Sequence, residues 1–424
     1  MSRYIKSLEQ DHFNKNQKDT IFFINKFPLS KVYAEALEFQ RYSEAGYRLV
    51  YLDMTQLYFA DTYTSYGSGN KEYVVSMDWS IVCKTREEVI SAIREYSARA
   101  WFFILHHSYT RDVSEAWLFR SFKKYYCDYI LTEIANVPEG ISKQANIRRH
   151  LLSRAYILLK QLQFGGLLRR ISNWIFLFLM GRDVIFRRPV FCFTPGAIGY
   201  HLFKTIYPGS EVVNIPSLNY YKYRNGLLKS KDHNDNNMPT YEYLLYLDQS
   251  IFDSPDNKLV GKHTIDKDLF FREINNYFDG LEKVIGKRVV IGASPKYHYN
   301  GHEYQGRDIV YNKTVELTAK ADMVIVHTTS AVDYAIMMHK PIIFLVVEGF
   351  SDKIIEELQS FARALKRPVV NSRECIDTGR MNELSNVDRE VYDTYISNYL
   401  TTEVFDVSFN EIIINKMRER NGVR

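Results

Sequence analysis

Short apolar runs alternate along the first third of the chain with stretches in which apolar residues recur at helical spacing. The runs that indicate strands are 20–25, 48–53, 101–106 and 127–131, and the helical stretches are 34–45, 86–98 and 113–124. Continuous apolar strands separated by helices are typical of a mostly parallel sheet with helices on both faces. This part of the chain is therefore predicted to be a doubly wound α/β domain.

A second alternating block begins near Pro189, and the polar stretch 216–239 within it is interpreted as a loop or linker. The predicted strands of this block are 190–193, 212–215, 243–248, 288–293, 308–311, 323–327, 341–347 and 368–371. Its predicted helices are 266–285, 314–319, 330–338 and 352–365, and two more, 388–400 and 409–420, follow it. The predicted domains are residues 1–188, residues 189–385, and C-terminal helices 386–424 that could pack back on the first domain. The expected fold is therefore α/β, with two doubly wound Rossmann-like domains facing across a cleft.

Composition excludes several classes of protein. The 424 residues are 46% apolar and 25% charged, as in ordinary globular proteins, which excludes a disordered chain, a collagen or a small disulfide scaffold. The four cysteines are scattered without a CxxC pair, so we expect buried free thiols and no metal cluster.

The net charge of +5 is unevenly distributed. Between residues 147 and 188 there are nine basic residues and one acidic residue, Asp183, so this segment carries +8 and the remainder of the chain −3. Apolar residues recur at helical spacing over 147–168, between the arginines and lysines. Such a helix could lie on an anionic membrane surface, or it could be an interdomain helix with solvated charges. No apolar run reaches the length of a spanning helix, and the N-terminus has no signal core. We expect a cytoplasmic protein that could be peripheral on the inner face of the membrane.

Ligands of open α/β sheets bind beyond the carboxyl ends of the strands, and three polar pieces of the second block lie at the end or start of a predicted strand or at the start of a predicted helix. The first is Ser294-Pro295-Lys296, where the lysine could pair with a phosphate or be a solvated residue of a surface loop. The second is Arg307, which could bind a phosphate or form a structural ion pair.

The third piece is residues 312–317 (NKTVEL), where Thr314 could expose helix amides to an anion and Glu316 could accept hydrogen bonds from a ribose. Plain helix capping is the alternative for both residues.

The strongest candidate is residues 324–331 (VIVHTTSA), in which a strand ends at His327 and hydroxyl residues lead into a helix. Hydroxyl groups together with free amides at a helix start form an anion site. His327 could belong to this site or be a satisfied core histidine. Together with the preceding pieces, this run predicts a pocket for a nucleotide monophosphate or diphosphate, although neither a GxGxxG fingerprint nor a Walker loop is present.

The order of these pieces over residues 243–347, roughly a quarter of the chain, resembles that in bacterial surface-polysaccharide glycosyltransferases of GT-B fold. The resemblance is closest to transferases that use CMP-activated acidic sugars, namely sialic, pseudaminic or legionaminic acid, or Kdo. In those families an HP motif and a serine-rich S motif hold the CMP. Here Ser294-Pro295 would stand at the HP position with serine in place of histidine, and His327, Thr328, Thr329 and Ser330 would form the S motif.

The resemblance implies that the second half binds the sugar nucleotide and that the first half binds a saccharide or lipid-linked acceptor. Such an enzyme needs no metal if amides and basic groups neutralise the leaving phosphate, and no DxD motif is present. The alternatives are a UDP- or GDP-sugar transferase, a sugar-nucleotide epimerase or a polymer phosphotransferase. Nucleic-acid binding through the basic segment is a weaker hypothesis, because no matching motif accompanies it.

An inverting transferase needs a base to take the proton from the acceptor hydroxyl. The candidates are Asp248, which follows a predicted strand and could equally be a donor contact or a helix cap, and from the first domain Asp53 or Asp61. His106 and His107 could bind the acceptor, or one could be buried and the other solvated.

Overall fold

The chain forms two parallel β-sheets, each covered by helices, in the computed structural model of the protein. The structure describes residues 18–62, 74–105, 113–135, 137–138, 171–173, 175–176, 178–229, 238–254 and 265–422. His106, His107 and residues 147–170 of the basic segment lie outside the described residues.

The first sheet is parallel throughout and contains the N-terminal strands. These are β1 (Thr20–Asn25), β2 (Arg48–Asp53), β3 (Ser80–Val82), β4 (Ala100–Ile104), β5 (Asp128–Thr132), β6 (Phe191–Thr194) and β7 (Glu211–Asn214). Their order across the sheet is β3-β2-β1-β4-β5-β6-β7. The surrounding helices are α1 (Lys31–Leu37), α2 (Phe39–Glu44), α3 (Thr55–Phe59), α4 (Arg86–Tyr96), α5 (Ala116–Lys124) and α6 (Gly196–Ile206). The apolar strand residues are buried because helices cover both faces.

The predicted domain boundary between residues 188 and 189 is wrong. Strand β6 pairs in parallel with β5, with Ile130 opposite Phe191, and β7 continues the same sheet. The first domain therefore extends through β7. The next element is helix α7 (Leu218–Lys229), where the polar composition predicted a loop. The basic segment is thus a long connection within the first domain and does not separate two domains.

The second sheet is also parallel, and its strands follow α7 in the sequence. Its strands are β8 (Tyr243–Leu247), β9 (Arg288–Ala293), β10 (Ile309–Tyr311), β11 (Met323–Val326), β12 (Ile342–Val346) and β13 (Val369–Asn371), in the order β10-β9-β8-β11-β12-β13. The helices between them are α8 (Lys267–Ile285), α9 (Thr314–Lys320), α10 (Val332–Met337) and α11 (Asp352–Ala364). Helix α8 shows how local sequence sets these bounds: the Asp266 carboxylate accepts a hydrogen bond from the Leu269 amide at 2.8 Å, and Gly286 ends the helix in a left-handed conformation.

The C-terminal segment returns to the first domain. It consists of α12 (Thr378–Ser385), α13 (Arg389–Tyr395), a π-helix (Ile396–Leu400) and α14 (Phe409–Arg420). Phe409, Ile413 and Met417 of α14 pack into the apolar cluster that contains Ile21 and Phe23 of β1. The two passages of chain between the domains lie side by side, because the amide of Ser217 donates a hydrogen bond to the carbonyl oxygen of Leu400 at 2.8 Å.

Gly196 provides a test of the packing of the C-terminal segment against the first domain. It begins α6 with φ +70°, and a Cβ at this position would overlap the backbone carbonyl of Asn398 in the π-helix. We expect Gly196→Ala to lower the free energy of unfolding by about 2 kcal/mol in urea titrations. The control is Gly46→Ala, where φ is +90° but nothing lies within 4 Å of the added Cβ, so only a backbone cost of about 1 kcal/mol is expected. Equal losses would show that the contact with Asn398 contributes nothing.

Candidate functional site

A cavity of about 870 Å³ lies where β8, β9, β11 and β12 end. It is lined on the side of the second domain by Asp248, Gln249, Ser294, Pro295, Lys296, Thr314, Thr328, Thr329, Ser330, Ser351, Lys353 and Glu357, among others. The first domain contributes Ser30, Tyr33 and Val137, and α7 contributes Asn219. The cavity is therefore a cleft between the two domains, at the edge where open α/β sheets bind ligands.

The turn after β9 has a fixed conformation. The amide of Ser294 donates to Oδ2 of Asp248 at 3.1 Å, and its hydroxyl oxygen accepts from the amide of Lys296 at 3.3 Å. Ser294 is buried, whereas Pro295 is exposed and Lys296 is half-buried. These bonds fix the backbone at Lys296, which lines the cavity.

Asp248 is a buried carboxylate surrounded by donors. Oδ1 accepts from the Ser250 amide at 2.9 Å and the Tyr304 hydroxyl at 3.2 Å, while Oδ2 accepts from the Ser294 amide at 3.1 Å and the Tyr299 hydroxyl at 2.5 Å. Burial raises the pKa of the carboxyl, and these hydrogen bonds oppose that rise. Because each oxygen already accepts two hydrogen bonds, no lone pair is left for an acceptor hydroxyl. The geometry thus argues against Asp248 as the base and assigns it to holding the turn at Ser294.

The hydroxyl turn after β11, defined as Thr328, Thr329 and Ser330, reaches the same cavity. Its first amide, that of Thr328, donates to Oε1 of Gln249 at 2.8 Å, and the hydroxyl of Thr329 accepts from the Ala331 amide at 3.1 Å. Ser330 is exposed. Helix α10 starts only at Val332 and is six residues long, shorter than the predicted 330–338, so its dipole is small.

His327 lies beneath this turn and not in the cavity, which corrects its assignment as a donor-site residue. The ring is fully buried, with Nδ1 2.5 Å from the carbonyl oxygen of Leu345 and its centroid 4.9 Å from that of Phe350. Burial lowers the pKa of His327 to about 4, so the ring is neutral at pH 7. It is a core histidine.

Arg307 is likewise not a donor-site residue. Its guanidinium is buried against α8, where Nε and Nη2 bind the two carboxylate oxygens of Glu282 at 3.0 and 2.9 Å. Nη2 also lies 2.5 Å from Oδ1 of Asp279, and Nη1 donates to Oδ1 of Asn275 at 3.1 Å. This is the structural ion pair that was the alternative interpretation.

Of the remaining predicted site residues, one lines the cavity and the others do not. Thr314, the first residue of α9, lines the cavity, whereas Glu316 is half-buried on the same helix and is not part of the lining. Asp53 is buried at the end of β2, and its Oδ1 accepts hydrogen bonds from both the amide (2.8 Å) and the hydroxyl of Thr55. Burial raises the pKa of Asp53. Asp61 is exposed in the turn after α3.

The start of α11 is a part of the lining that sequence reasoning missed. Ser351, Lys353 and Glu357 line the cavity, and the Ser351 side chain makes no capping bond. The first turn of a 13-residue helix, whose first amides have no intrahelical acceptor, therefore borders this end of the cleft. The polar run after β12 could have revealed this, since it stands at a strand end like Ser294 and Thr328.

Asn219 and Asp333 connect the hydroxyl turn to the rest of the molecule. The Asn219 amide group donates to the carbonyl oxygen of Ser330 at 2.8 Å and to Oδ2 of Asp333 at 2.9 Å. Oδ1 of Asp333 accepts from the Tyr395 hydroxyl at 3.2 Å. Asp333 is buried, which raises its pKa to about 7.

Comparison with known proteins defines the fold. No protein-family model matches the sequence, and no curated protein matches it. CalG4, the calicheamicin glycosyltransferase, superposes with a TM-score of 0.50 at 10% identity, over 96% of this chain and 98% of that chain. The wall teichoic acid polymerase TagF gives 0.49 at 15% identity, over 99% and 92%. The UDP-GlcNAc 2-epimerase from Methanocaldococcus jannaschii gives 0.44 at 8% identity, over 94% and 99%. The likeness to CalG4 confirms the predicted GT-B fold.

Proposed function

We propose that this protein is a glycosyltransferase that moves a sugar from a nucleotide-linked donor to a saccharide or lipid-linked acceptor in bacterial surface-polysaccharide synthesis. The observation that carries the proposal is that three polar segments of the chain meet at one cleft. The turn at Ser294–Lys296, the hydroxyl turn and the start of α11 are far apart in sequence, yet all three line one cleft between the domains.

The chemistry of this lining suits a sugar nucleotide. Lys296, Lys353 and the first amides of α11 would neutralise the leaving phosphate, so that no metal is required for departure. The hydroxyl turn and Gln249 would hydrogen-bond the donor. Ser30 and Tyr33 face them from the first domain, where the acceptor would enter.

The donor we propose first is a CMP-linked acidic sugar. Lys296 and Lys353 line the cavity, the latter paired with Glu357 at 3.7 Å, and would face the phosphate and the carboxylate of such a donor. The resemblance at Ser294-Pro295 and at the hydroxyl turn favours CMP. The two phosphates of a UDP- or GDP-sugar would also match, which makes these donors the alternative. An epimerase would act without any acceptor, and a polymer phosphotransferase would transfer a phosphate ester.

Asp53 is the base we propose on the acceptor side. Its raised pKa lies closer to neutrality than that of a free carboxyl, as general-base catalysis favours, and both bonds from Thr55 fall on Oδ1. Asp61 is the exposed alternative. The lipid-linked acceptor would bring the protein to an anionic membrane surface.

A nucleotide screen by thermal shift tests the proposal. We expect CMP to raise the melting temperature selectively, and Lys296→Ala to weaken CMP binding about tenfold in calorimetry, because a hydrogen bond to a charged group is lost. Lys320→Ala, at an exposed lysine of α9 outside the cavity, is the control and should bind normally. A selective response to UDP or GDP would redirect the donor. No response to any of the three nucleotides would contradict the proposal.

A further inference from the structure

Asp333 is a buried carboxyl that lies one amide group away from the cleft. It is the second residue of α10 and is 2% exposed. The side chain of Asn219 stands between it and the cleft wall, since its Nδ2 donates to Oδ2 of Asp333 at 2.9 Å and to the carbonyl oxygen of Ser330 at 2.8 Å. Asn219 and Ser330 both line the cleft. A charge on Asp333 therefore acts on the hydroxyl turn across a single amide group.

The amide of Asn219 has its orientation set by all of its neighbours. The hydroxyl of Tyr334, which also lines the cleft, donates to Oδ1 of Asn219 at 3.1 Å. The two N–H groups then point to the two acceptors, Ser330 and Asp333. This side chain thus joins α7, the hydroxyl turn and α10 in one hydrogen-bonded unit, and Asp333 is a positioning residue within it.

The carboxyl of Asp333 is surrounded by neutral groups. Its partners are the amide of Asn219 and, at Oδ1, the hydroxyl of Tyr395 at 3.2 Å. No lysine, arginine or histidine among the described residues pairs with it. Burial raises the pKa of Asp333 to about 7, and the two hydrogen bonds oppose that rise. Near neutral pH the neutral and the ionised forms are therefore both populated.

Other titratable groups around α10 can be separated from Asp333. The elements packed against α10 carry Lys222 and Arg224 on α7, Glu316 on α9, Asp393 on α13, and Tyr220, Tyr395 and Tyr399, whereas β11 adds apolar residues alone. Arg224 pairs with Asp406 at 3.4 Å, and Asp393 with His339 at 2.9 Å. Burial raises the pKa of Tyr395 and of Tyr399, so neither ionises near neutral pH. All of these groups remain in a variant that changes only Asp333, and such a variant isolates its proton.

We propose that binding of the sugar nucleotide at the hydroxyl turn is coupled to the uptake of a proton by Asp333, so that the cleft binds a nucleotide more tightly in slightly acidic than in slightly alkaline solution. The proton comes from solvent and adds to Oδ1, which then donates to the hydroxyl oxygen of Tyr395, while Oδ2 still accepts from Asn219. Protonation thus removes a negative charge from behind the hydroxyl turn without breaking the hydrogen-bonded unit. The inference rests on the proposed function, because the phosphate of the sugar nucleotide supplies the anion.

The sign of the coupling follows from charge repulsion. A phosphate at the hydroxyl turn disfavours the ionised form of Asp333, so the complex keeps the proton to a higher pH than the free protein does. At the effective dielectric constant near a protein surface, two unit charges separated by a few hydrogen bonds repel enough to change a Kd about fivefold. The nucleotide therefore loses affinity as pH rises through neutrality.

Calorimetry with CMP from about pH 6.5 to about pH 8.5 tests the coupling in the full-length protein, with UDP or GDP used if the thermal-shift screen selects one of them. Relative to Asp333→Asn, the unchanged protein should lose about fivefold in affinity over this range, because the amide of the variant keeps both hydrogen bonds and carries no charge. Ionisation of the nucleotide phosphate is common to both proteins and cancels in the comparison. Titrations in two buffers of different ionisation enthalpy should show more proton uptake by the unchanged protein than by Asp333→Asn.

The charge-matched control is Glu390→Gln, which removes an exposed carboxylate of α13 and should keep the full pH dependence. Tyr395→Phe covers the case in which Asp333→Asn fails to fold. It removes a hydrogen bond that favours the ionised carboxyl, so the fall in affinity should move to a higher pH.

Two results would overturn the coupling alone. They are an equal pH dependence in the unchanged protein and Asp333→Asn, and an affinity of the unchanged protein that rises with pH relative to this variant. In both cases a nucleotide still binds, and the transferase proposal stands. Absence of binding by CMP, UDP and GDP at every pH would contradict the transferase proposal and the coupling together.

Discussion

Replacement of Asp248 by alanine is expected to lower the free energy of unfolding by about 3–5 kcal/mol and to abolish the response to nucleotides. The carboxylate accepts four hydrogen bonds in a buried site, from the amides of Ser250 and Ser294 and the hydroxyls of Tyr299 and Tyr304. Its removal leaves these donors without an acceptor, and each buried unpaired donor costs about 1–3 kcal/mol before relaxation. The turn that presents Lys296 also loses its anchor at Ser294. Urea unfolding and calorimetry with CMP measure the two effects.

Variants that change fewer hydrogen bonds show whether Asp248 positions the turn at Ser294 or transfers a proton. Tyr299→Phe removes one of the four bonds and should weaken nucleotide binding while leaving the shape of the pH profile of kcat/KM unchanged. The matched control is Tyr241→Phe, which removes a tyrosine–carboxylate bond to Asp308 at an exposed site and should have almost no effect on binding. If Asp248→Asn kept nucleotide binding but removed the acidic limb of that pH profile, Asp248 would be the base after all.

The contribution of Asp333 to stability should fall as pH rises from about 4 to about 7, opposite in sign to the contribution of His327, whose pKa burial lowers from 6.5 to about 4. Burial raises the pKa of this carboxyl from 3.8 to about 7. Between these values the folded protein holds a proton that the unfolded chain has lost, so folding becomes less favourable as pH increases and the loss is complete above about pH 7. The difference corresponds to roughly 4 kcal/mol at full burial. Melting temperatures at about pH 5 and about pH 8, compared between the unchanged protein and a variant without this carboxyl, measure it.

Asp333→Asn isolates this contribution. The amide resembles the neutral acid and can still bond with Asn219 and Tyr395, so the variant should be less sensitive to pH and more stable than the unchanged protein above about pH 7. Asp78→Asn, at an exposed carboxylate, is the control and should keep the original dependence. An unchanged pH dependence in Asp333→Asn would contradict the assignment.

The sequence predicted most elements of the fold but not the sheet to which every strand belongs. Apolar runs located β1 and β8 well, because buried parallel strands are continuous in apolar residues. The pairing of β5 with β6 could not be predicted, since the connection between them is long and its basic composition looked like a boundary.

At the candidate site, position along a strand was predictable and side-chain direction was not. Residues such as Ser294 and Thr328 line the cleft because they follow strand ends. His327 also stands at a strand end, but both faces of this sheet are covered, so the apolar pattern carries no information about which way its ring turns. The partners of Arg307 are on α8, about 25 residues earlier, and no local pattern identifies them.

The two neighbouring passages between the domains have a mechanical consequence. Since Ser217 is bonded to Leu400, the domains are connected at one pivot and not at two separated points. Asn219 lies two residues beyond this pivot and is bonded to Ser330. Helix α7 begins at this crossing and bonds the hydroxyl turn through Asn219, so the passage between the domains and this wall of the cleft are parts of one continuous hydrogen-bonded path.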